Sequence, residues 1–251
     1  MESLFDLTGK SAIVTGASTG LGMGMTLGLA SAGADVLLVD HVPSDTVAQE
    51  VRMLGRKAAT LVVDLMQMSS IELSVKKAVA EFGKIDILIN NAGIIRRTQA
   101  IDFSEKDWDE VMTLNAKTVF FLSQAAARDM MKRKYGKIVN IASLLAFQGG
   151  ILVPSYAASK GAVAQVTKAL ANEWAQHGIT VNAIAPGYMA TNNTKALRED
   201  PVRSKSILER IPAGRWGMPQ DLQGAAVFLA SPASDYVNGH VLLVDGGWMA
   251  R

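Results

Sequence analysis

Thr15-Gly16-Ala17-Ser18-Thr19-Gly20-Leu21-Gly22 closes an apolar run, 11–16, and opens a stretch of helical period, 20–32. In the order strand, glycine turn, helix, three glycines let the backbone come close to a pyrophosphate. The helix N-terminus then offers free N–H groups and the positive end of its dipole. A glycine turn of this kind also serves plain packing. The reading is decided by Asp40, which ends the next apolar run about 20 residues on, where an acid accepts hydrogen bonds from an adenosine ribose diol. Asp64, with Leu65 after it, ends the third run and is either a neighbour of the adenine ring or an ordinary strand-end cap.

Outward from this motif, short β-branched runs alternate with longer helical stretches, the pattern of βαβ units around a buried parallel sheet. The strand candidates are 11–16, 35–40, 58–64, 85–93, 136–143, 179–187 and 240–247; the helical ones are 20–32, 44–54, 69–82, 105–133, 155–177 and 219–230. Right-handed crossovers put helices on both faces. The expected fold class is α/β, a single doubly wound domain over 1–251 with a seven-stranded parallel sheet flanked by helices. Ser104-Glu105-Lys106-Asp107 has the spacing of a helix N-cap, and Gly33, Gly55, Gly83 and Gly178 stand where helices should stop. The polar interval 188–210 has no clear period and is read as a substrate lid.

Composition narrows the function. The 251 residues, 49% hydrophobic and 19% charged, describe an ordinary globular chain with a core of useful size. A net charge of +2 with scattered Lys and Arg argues against a nucleic-acid partner. The start, MESLFDLTGK, has no basic n-region, and no apolar run reaches the roughly 18 residues of a membrane span, so no membrane partner is expected. The chain has no cysteine, which excludes disulfides and thiol chemistry and agrees with a cytoplasmic protein. With His41, His177 and His240 the only imidazoles and no carboxylates grouped around them, no metal is expected.

Chemistry concentrates in Ser155-Tyr156-Ala157-Ala158-Ser159-Lys160. Tyrosine and lysine four apart share one helix face, so an ammonium can lie by a phenol. Bringing a phenol from near 10 to roughly 7 takes about 4 kcal/mol of preference for the phenolate, which the lysine and an oxidised nicotinamide could supply together. Such a group moves protons at neutral pH. By itself the pair is also compatible with a surface tyrosine and a solvated lysine. Ser143 ends the fifth run, 13 residues before Tyr156, at the carboxyl edge of the sheet where doubly wound folds bind ligands. Asn115 lies on the otherwise apolar inner face of its helix, where a buried amide needs partners.

Taken together and in order, TGASTGLG, the Asp64 run end, NNAG at 90–93, Asn115, Ser143, Tyr156 with Lys160, PG at 186–187 and VDGG at 244–247 resemble the short-chain dehydrogenase/reductase family over essentially the whole chain. The resemblance implies a Rossmann fold and a nicotinamide cofactor. It makes Tyr156 the acid/base, has Ser143 hold the same substrate oxygen, and gives Lys160 the tyrosine pKa and the nicotinamide ribose. Asn115 would hold a water on a proton path. Gly16, Ser18, Thr19, Gly20, Leu21, Gly22, Asp40, Asp64 and Leu65 would hold the adenosine half and pyrophosphate. Asn91, Ala92, Gly93, Pro186, Gly187 and Thr191 would border the nicotinamide half. A 2′-phosphate beside Asp40 would meet a like charge, with neither Thr19 nor His41 a firm positive partner, so NAD is expected over NADP. The family also implies a homotetramer built on the long helices and the C-terminal segment, where burial of the apolar tail 246–250 would fit.

A finer likeness, in AGIIRR (92–97), FSEKDWDEVMTLN (103–115), AFQGG (146–150), YMATNNT (188–194), RIPAGRWG (210–217), SDYVNGH (234–240) and VDGGWMAR (244–251), resembles the branch of the family acting on sugar acids of the 2-dehydro-3-deoxy-D-gluconate kind. Gluconate 5-dehydrogenases share much of that pattern. A 3-oxoacyl carrier protein reductase would want a basic NADP selector, a sugar-nucleotide epimerase a larger substrate domain, and a nucleotide sensor would not need all four of Asn115, Ser143, Tyr156 and Lys160. Arg96 and Arg97, just past the NNAG turn, offer planar guanidinium groups to a carboxylate, and at least one is expected to face the cleft; a solvated basic pair is the plainer alternative. Gln148, Asn192 and Asn193 are the expected hydroxyl contacts.

Overall fold

A computed structural model describes residues 3–251. Seven strands form one sheet: β1 (Ser11–Thr15), β2 (Asp35–Asp40), β3 (Ala58–Val62), β4 (Ile87–Asn90), β5 (Gly136–Ile141), β6 (Ile179–Pro186) and β7 (Val241–Val244). Every pairing is parallel, in the order β3-β2-β1-β4-β5-β6-β7. The order reverses between β1 and β4. The carboxyl ends of those two strands therefore part around a crevice, the general ligand position of doubly wound sheets.

Alternate strand residues feed two cores. Val14, Leu38, Ile89 and Ile184 pack with Met25 and Leu29 of α1 (Gly20–Ser31), Val47 and Val51 of α2 (Asp45–Met53) and Leu229 of α9 (Gln223–Ala230). Ile13, Leu37, Leu88 and Val181 face the other way. They meet Ile71 of α3 (Met68–Phe82), Leu122 and Met130 of α5 (Thr118–Met130), and Leu170 and Trp174 of α6 (Pro154–Trp174). A sheet buried on both faces explains why its strands read as continuous apolar runs. The expected helix stops occur where foreseen: Gly33, Gly55, Gly83 and Gly178 have φ of +111°, +76°, +79° and +72°, and the Ser104 hydroxyl accepts from the Asp107 N–H at 3.1 Å.

Two departures from the sequence reading bear on the site. First, the helix expected over 105–133 is a continuous rod but not a uniform one: α4 (Glu105–Met112) passes through a π turn, Thr113–Lys117, into α5. Asn115 sits inside that turn and is fully buried. Second, the interval 188–210 is largely helical: a 3-10 turn, Asn192–Thr194, leads to α7 (Lys195–Glu199) and α8 (Pro201–Arg210). The Asp200 carboxylate caps α8 by accepting from the N–H groups of Val202 and Arg203, both at 3.0 Å, and Pro201 supplies the first helical residue. The tail is also placed differently from the expectation. Trp248 is buried within its own chain, its ring 4.6 Å from that of Tyr188 and beneath the Arg210 guanidinium at 4.0 Å, so its burial needs no second subunit. Among the described residues no helix is long and apolar enough to cross a membrane.

Candidate active site

The glycine turn is shaped by contact. Gly16 and Gly20 have φ of +64° and +55°. A side chain at Gly22 would overlap the Gly16 carbonyl and come within 2.6 Å of the Asn91 amide nitrogen. Asn91 is the clamp: its Nδ2 donates to the carbonyls of Thr15 (2.9 Å) and Gly16 (3.1 Å), while the N–H groups of Asn91 and Ala92 both donate to Thr15 Oγ1 at 3.0 Å. The two sides of the crevice are thus stapled together. Thr19 makes no side-chain cap to α1, whose first turn has no acid, so its N–H groups are left for an external anion. Thr191 packs its methyl over Gly20, 3.6 Å from where a Cβ would stand.

Asp40 ends β2, buried, and receives four donors. Its Oδ2 accepts from Ser18 N (2.9 Å) and Ser18 Oγ (2.6 Å), its Oδ1 from His41 N (2.7 Å) and His41 Nδ1 (2.8 Å). Burial pushes this carboxyl up, but the Ser18 and His41 bonds together outweigh it and hold the group below its ordinary value. Asp64 lies exposed, two residues beyond the end of β3, and its Oδ1 closes a turn by accepting from Met66 N at 2.9 Å. Leu65 is buried and its carbonyl accepts from Thr118 Oγ1 at 2.8 Å. Gly187 follows β6, and a Cβ there would come within 2.6 Å of the Asp245 Cα.

The chemical group forms where β5 and α6 meet. Lys160 is buried, with Nζ 5.5 Å from the centre of the Tyr156 ring, and donates to the Ile141 carbonyl at 2.5 Å. Burial brings its ammonium down to about 8. Burial raises the Tyr156 phenol above its ordinary value, with the Ser143 hydroxyl and the Arg97 charge pulling it partly back. The protein's own groups therefore do not lower the phenol as the sequence reading expects. Lys160 approaches the ring while its ammonium is spent on a carbonyl, and desolvation dominates.

Asn115 joins three segments. Its Oδ1 accepts from Ile94 N (2.9 Å), and its Nδ2 donates to the Ile94 carbonyl (2.9 Å) and to Ser159 Oγ (3.2 Å), which itself donates to the Tyr156 carbonyl (2.8 Å). Gly93 makes this possible, since its Cβ would stand 3.1 Å from Oδ1. The role of Ser159 was missed in the sequence, although it lies inside the quoted Tyr156-to-Lys160 motif. Its hydroxyl is fully buried, and only the fold reveals that Asn115 is its partner.

The two arginines separate. Arg96 is tied to α4 through Glu110 (2.8 Å) and approaches Asp107 (3.5 Å). Arg97 has no protein carboxylate among the described residues; it donates to the Asn193 backbone carbonyl at 2.9 Å, and its charge reaches Tyr156. Gln148 Oε1 accepts from the Trp248 indole N–H at 3.3 Å, so it braces the tail, while its backbone N–H donates to the Leu144 carbonyl at 3.1 Å. Asn192 and Asn193 are exposed at the turn above Arg97.

A crevice at the strand-order reversal, a glycine turn under a free helix N-terminus, and a half-buried Tyr156 over a buried Lys160 with Ser143 beside them form one constellation. The family model for short chain dehydrogenase matches residues 10–202. The chain belongs to the short-chain dehydrogenase family. As in that family, it is an oxidoreductase for a nicotinamide cofactor, and the residues fit such a group: the close-packed Gly16–Gly22 turn, the free N–H groups of α1 and the Asp40 carboxylate. The chain is 62% identical to the 2-dehydro-3-deoxy-D-gluconate 5-dehydrogenase of Dickeya dadantii (strain 3937), over 98% of each sequence. It is 60% identical to the enzyme of the same name from Escherichia coli (strain K12), over 99% of each. A crystal structure from Agrobacterium tumefaciens, assigned as a 2-deoxy-D-gluconate 3-dehydrogenase with bound NADP, is 53% identical and superposes with a TM-score of 0.94 over 100% of both chains.

Lys160 makes stability depend on pH with a definite sign. Its folded pKa of about 8 lies below the unfolded value near 10.4, so between these limits the unfolded chain holds more protons and stability rises with pH. Relative to Lys160→Met, the wild type should gain up to about 3 kcal/mol in urea unfolding between pH 7.5 and 10.5. A flat difference would show that the ammonium is not desolvated.

Proposed function

We propose that the chain is a 2-dehydro-3-deoxy-D-gluconate 5-dehydrogenase, interconverting a secondary hydroxyl and a ketone on an open-chain sugar acid, with NAD preferred over NADP. The observation that carries this reading is the pair of arginines: Arg96 has its carboxylate in Glu110, whereas Arg97, whose charge is felt at Tyr156, has none. A planar guanidinium beside the proton-transfer group suits a substrate with a carboxylate and a reacting hydroxyl on one short carbon chain. The names of the relatives that match end to end are consistent with that substrate.

In this reading a bound nicotinamide supplies the hydride acceptor or donor. Tyr156 exchanges the proton with the substrate oxygen, and Ser143 holds that oxygen. With its phenol raised by burial, Tyr156 is protonated at neutral pH and suited to donate to a ketone. Lys160 turns from the Ile141 carbonyl to the nicotinamide ribose. Because both side-chain atoms of Asn115 are occupied, a water on the proton path would fall to its backbone carbonyl. Gly16 to Gly22 seat the pyrophosphate and Asp40 the ribose diol. Asp64 and Leu65 border the adenine, Asn91 to Gly93 with Pro186, Gly187 and Thr191 the nicotinamide. Gln148, Asn192 and Asn193 surround the substrate hydroxyls, and residues 188–210 act as the lid that excludes water.

The proposal includes a cytoplasmic homotetramer. Leu243, 40% exposed on the edge strand β7, and Trp108, equally exposed on α4, are apolar surface suited to subunit contact. Light scattering at micromolar concentration should give four times the chain mass of 26.7 kDa, and a monomer mass would contradict it.

Steady-state kinetics on the sugar acid test the site directly. Arg97→Ala should raise KM at least tenfold with kcat little changed, Arg96→Ala should do so less, and Tyr156→Phe should retain under a tenth of kcat while NADH affinity stays within a few fold. Unchanged KM in Arg97→Ala would move the carboxylate elsewhere, and active Tyr156→Phe would remove the proposed acid/base.

A further inference from the structure

We propose that Arg198 binds the cofactor pyrophosphate from the segment above it, so that seating the dinucleotide draws residues 192–200 over the crevice. The proposal rests on the reading of 188–210 as a lid and names the ligand group that closes it. Each phosphate of a pyrophosphate bridge is anionic, whereas a helix N-terminus offers the equivalent of only about half a positive charge. The segments expected to border that group add no cation of their own: residues 16–22, 91–95 and 186–193 contain neither lysine nor arginine. Of the cations that follow them, Arg96 is paired with Glu110, and Arg97 donates to the Asn193 carbonyl. Lys195 Nζ stands 3.7 Å from the Glu199 carboxylate. Arg198 is left, among the described residues, as the cation of α7 without a carboxylate partner.

Its position is fixed from the sheet outward. The Ala190 N–H donates to the Gly217 carbonyl at 2.7 Å, and the Gly217 N–H to the Tyr188 carbonyl at 3.0 Å, which anchors the chain leaving β6. Thr194 then folds the next turn, its Oγ1 donating to the carbonyls of Met189 (2.5 Å) and Thr191 (3.1 Å). The Thr191 carbonyl also accepts from Arg198 Nη2 at 3.2 Å. The methyl of the same Thr191 lies 3.6 Å from where a Gly20 Cβ would stand. Thr191 therefore touches both the guanidinium and the residue that opens α1, whose first N–H groups have no side-chain cap. A guanidinium carries five N–H donors in a rigid fork, and the bond to Thr191 uses one of them. The others can take phosphate oxygens without giving up that bond, and the exposed side chain is free to turn toward a ligand at the α1 N-terminus. Because α7 begins directly after the Thr194 turn, a phosphate held by Arg198 would pull the helix with it.

ADP-ribose tests this without turnover, since it carries the pyrophosphate and lacks the nicotinamide. Arg198→Gln is the informative variant, because its amide keeps an N–H donor for the Thr191 carbonyl and only the charge is removed. Isothermal titration calorimetry of the full protein should show ADP-ribose binding at least tenfold more weakly to Arg198→Gln than to the wild type. That gap should narrow as salt is raised from about 50 mM to about 500 mM, since an exposed charge is screened. In amide exchange at saturating ADP-ribose, the wild type should gain protection over both 16–25 and 192–200, and Arg198→Gln over 16–25 alone. A smaller loss of affinity, a gap indifferent to salt, or protection of 192–200 that persists in Arg198→Gln would make Arg198 a solvated arginine and overturn the inference. The same follows if ADP-ribose protects only 16–25 in the wild type, which leaves the lid to close on substrate. A wild type that gains protection over neither segment would instead sink the reading of the glycine turn as the seat of the pyrophosphate.

Discussion

The site depends on the buried amide of Asn115. A carboxamide with no access to water must find partners or cost the fold the desolvation of each unmet group, on the order of 1–3 kcal/mol. Asn115 meets both the N–H and the carbonyl of Ile94 on the loop leaving β4, and the Ser159 hydroxyl on α6. The first bonds fix the direction in which Arg96 and Arg97 leave the sheet. The third fixes the turn of α6 that carries Tyr156 and Lys160. The π turn around Asn115 aims its side chain at both, an arrangement that π turns often serve at functional sites. Gly93, where a Cβ would press against Oδ1 at 3.1 Å, completes the joint.

Around that joint, charges are sorted by whether they have an internal partner. Arg96 is neutralised by Glu110, and this ion pair holds the loop against α4. Arg97 is tied only to a backbone carbonyl of the turn above it, and its charge is felt at Tyr156. Lys160, lowered by burial to about 8, and Tyr156, raised by burial, move apart in proton affinity, so that as pH rises the lysine gives up its proton before the phenol does. The Tyr188, Trp216 and Trp248 rings, with Arg210 over the last, join the segment that follows β6, the end of α8 and the tail into one support. The 188–210 segment and the loop after Ser143 are thereby connected through Gln148 and Trp248.

Much of this was legible in the sequence, for reasons that also set the limits. Seven apolar runs became seven strands in parallel order because a sheet covered on both faces makes each strand a continuous apolar run. The ends overshot: 85–93 shortens to Ile87–Asn90 and 58–64 to Ala58–Val62, since the point where the hydrogen-bond ladder stops leaves no mark in residue type. The overshoot contains Asp64 and Asn91 to Gly93, residues proposed to border the cofactor. Asp200-Pro201 was a readable helix start within 188–210, and only its irregular surroundings hid it. The π turn left no trace in local pattern. Nor could the sequence separate Arg96 from Arg97, because the partner that distinguishes them, Glu110, lies on another element. Asp40 was readable as an acid in the right place, but its saturation by Ser18 and His41 was not.

Hydrogen–deuterium exchange of Asn115→Ala against the wild type tests the joint most directly, because the Ile94 amide donates to the atom removed. Peptides covering 91–99 and 154–162 should lose protection together, while 35–40 in β2 should keep the wild-type exchange. If the loop and α6 kept their protection, or if only one of them changed, Asn115 would not be the element that holds the two halves of the candidate site in register.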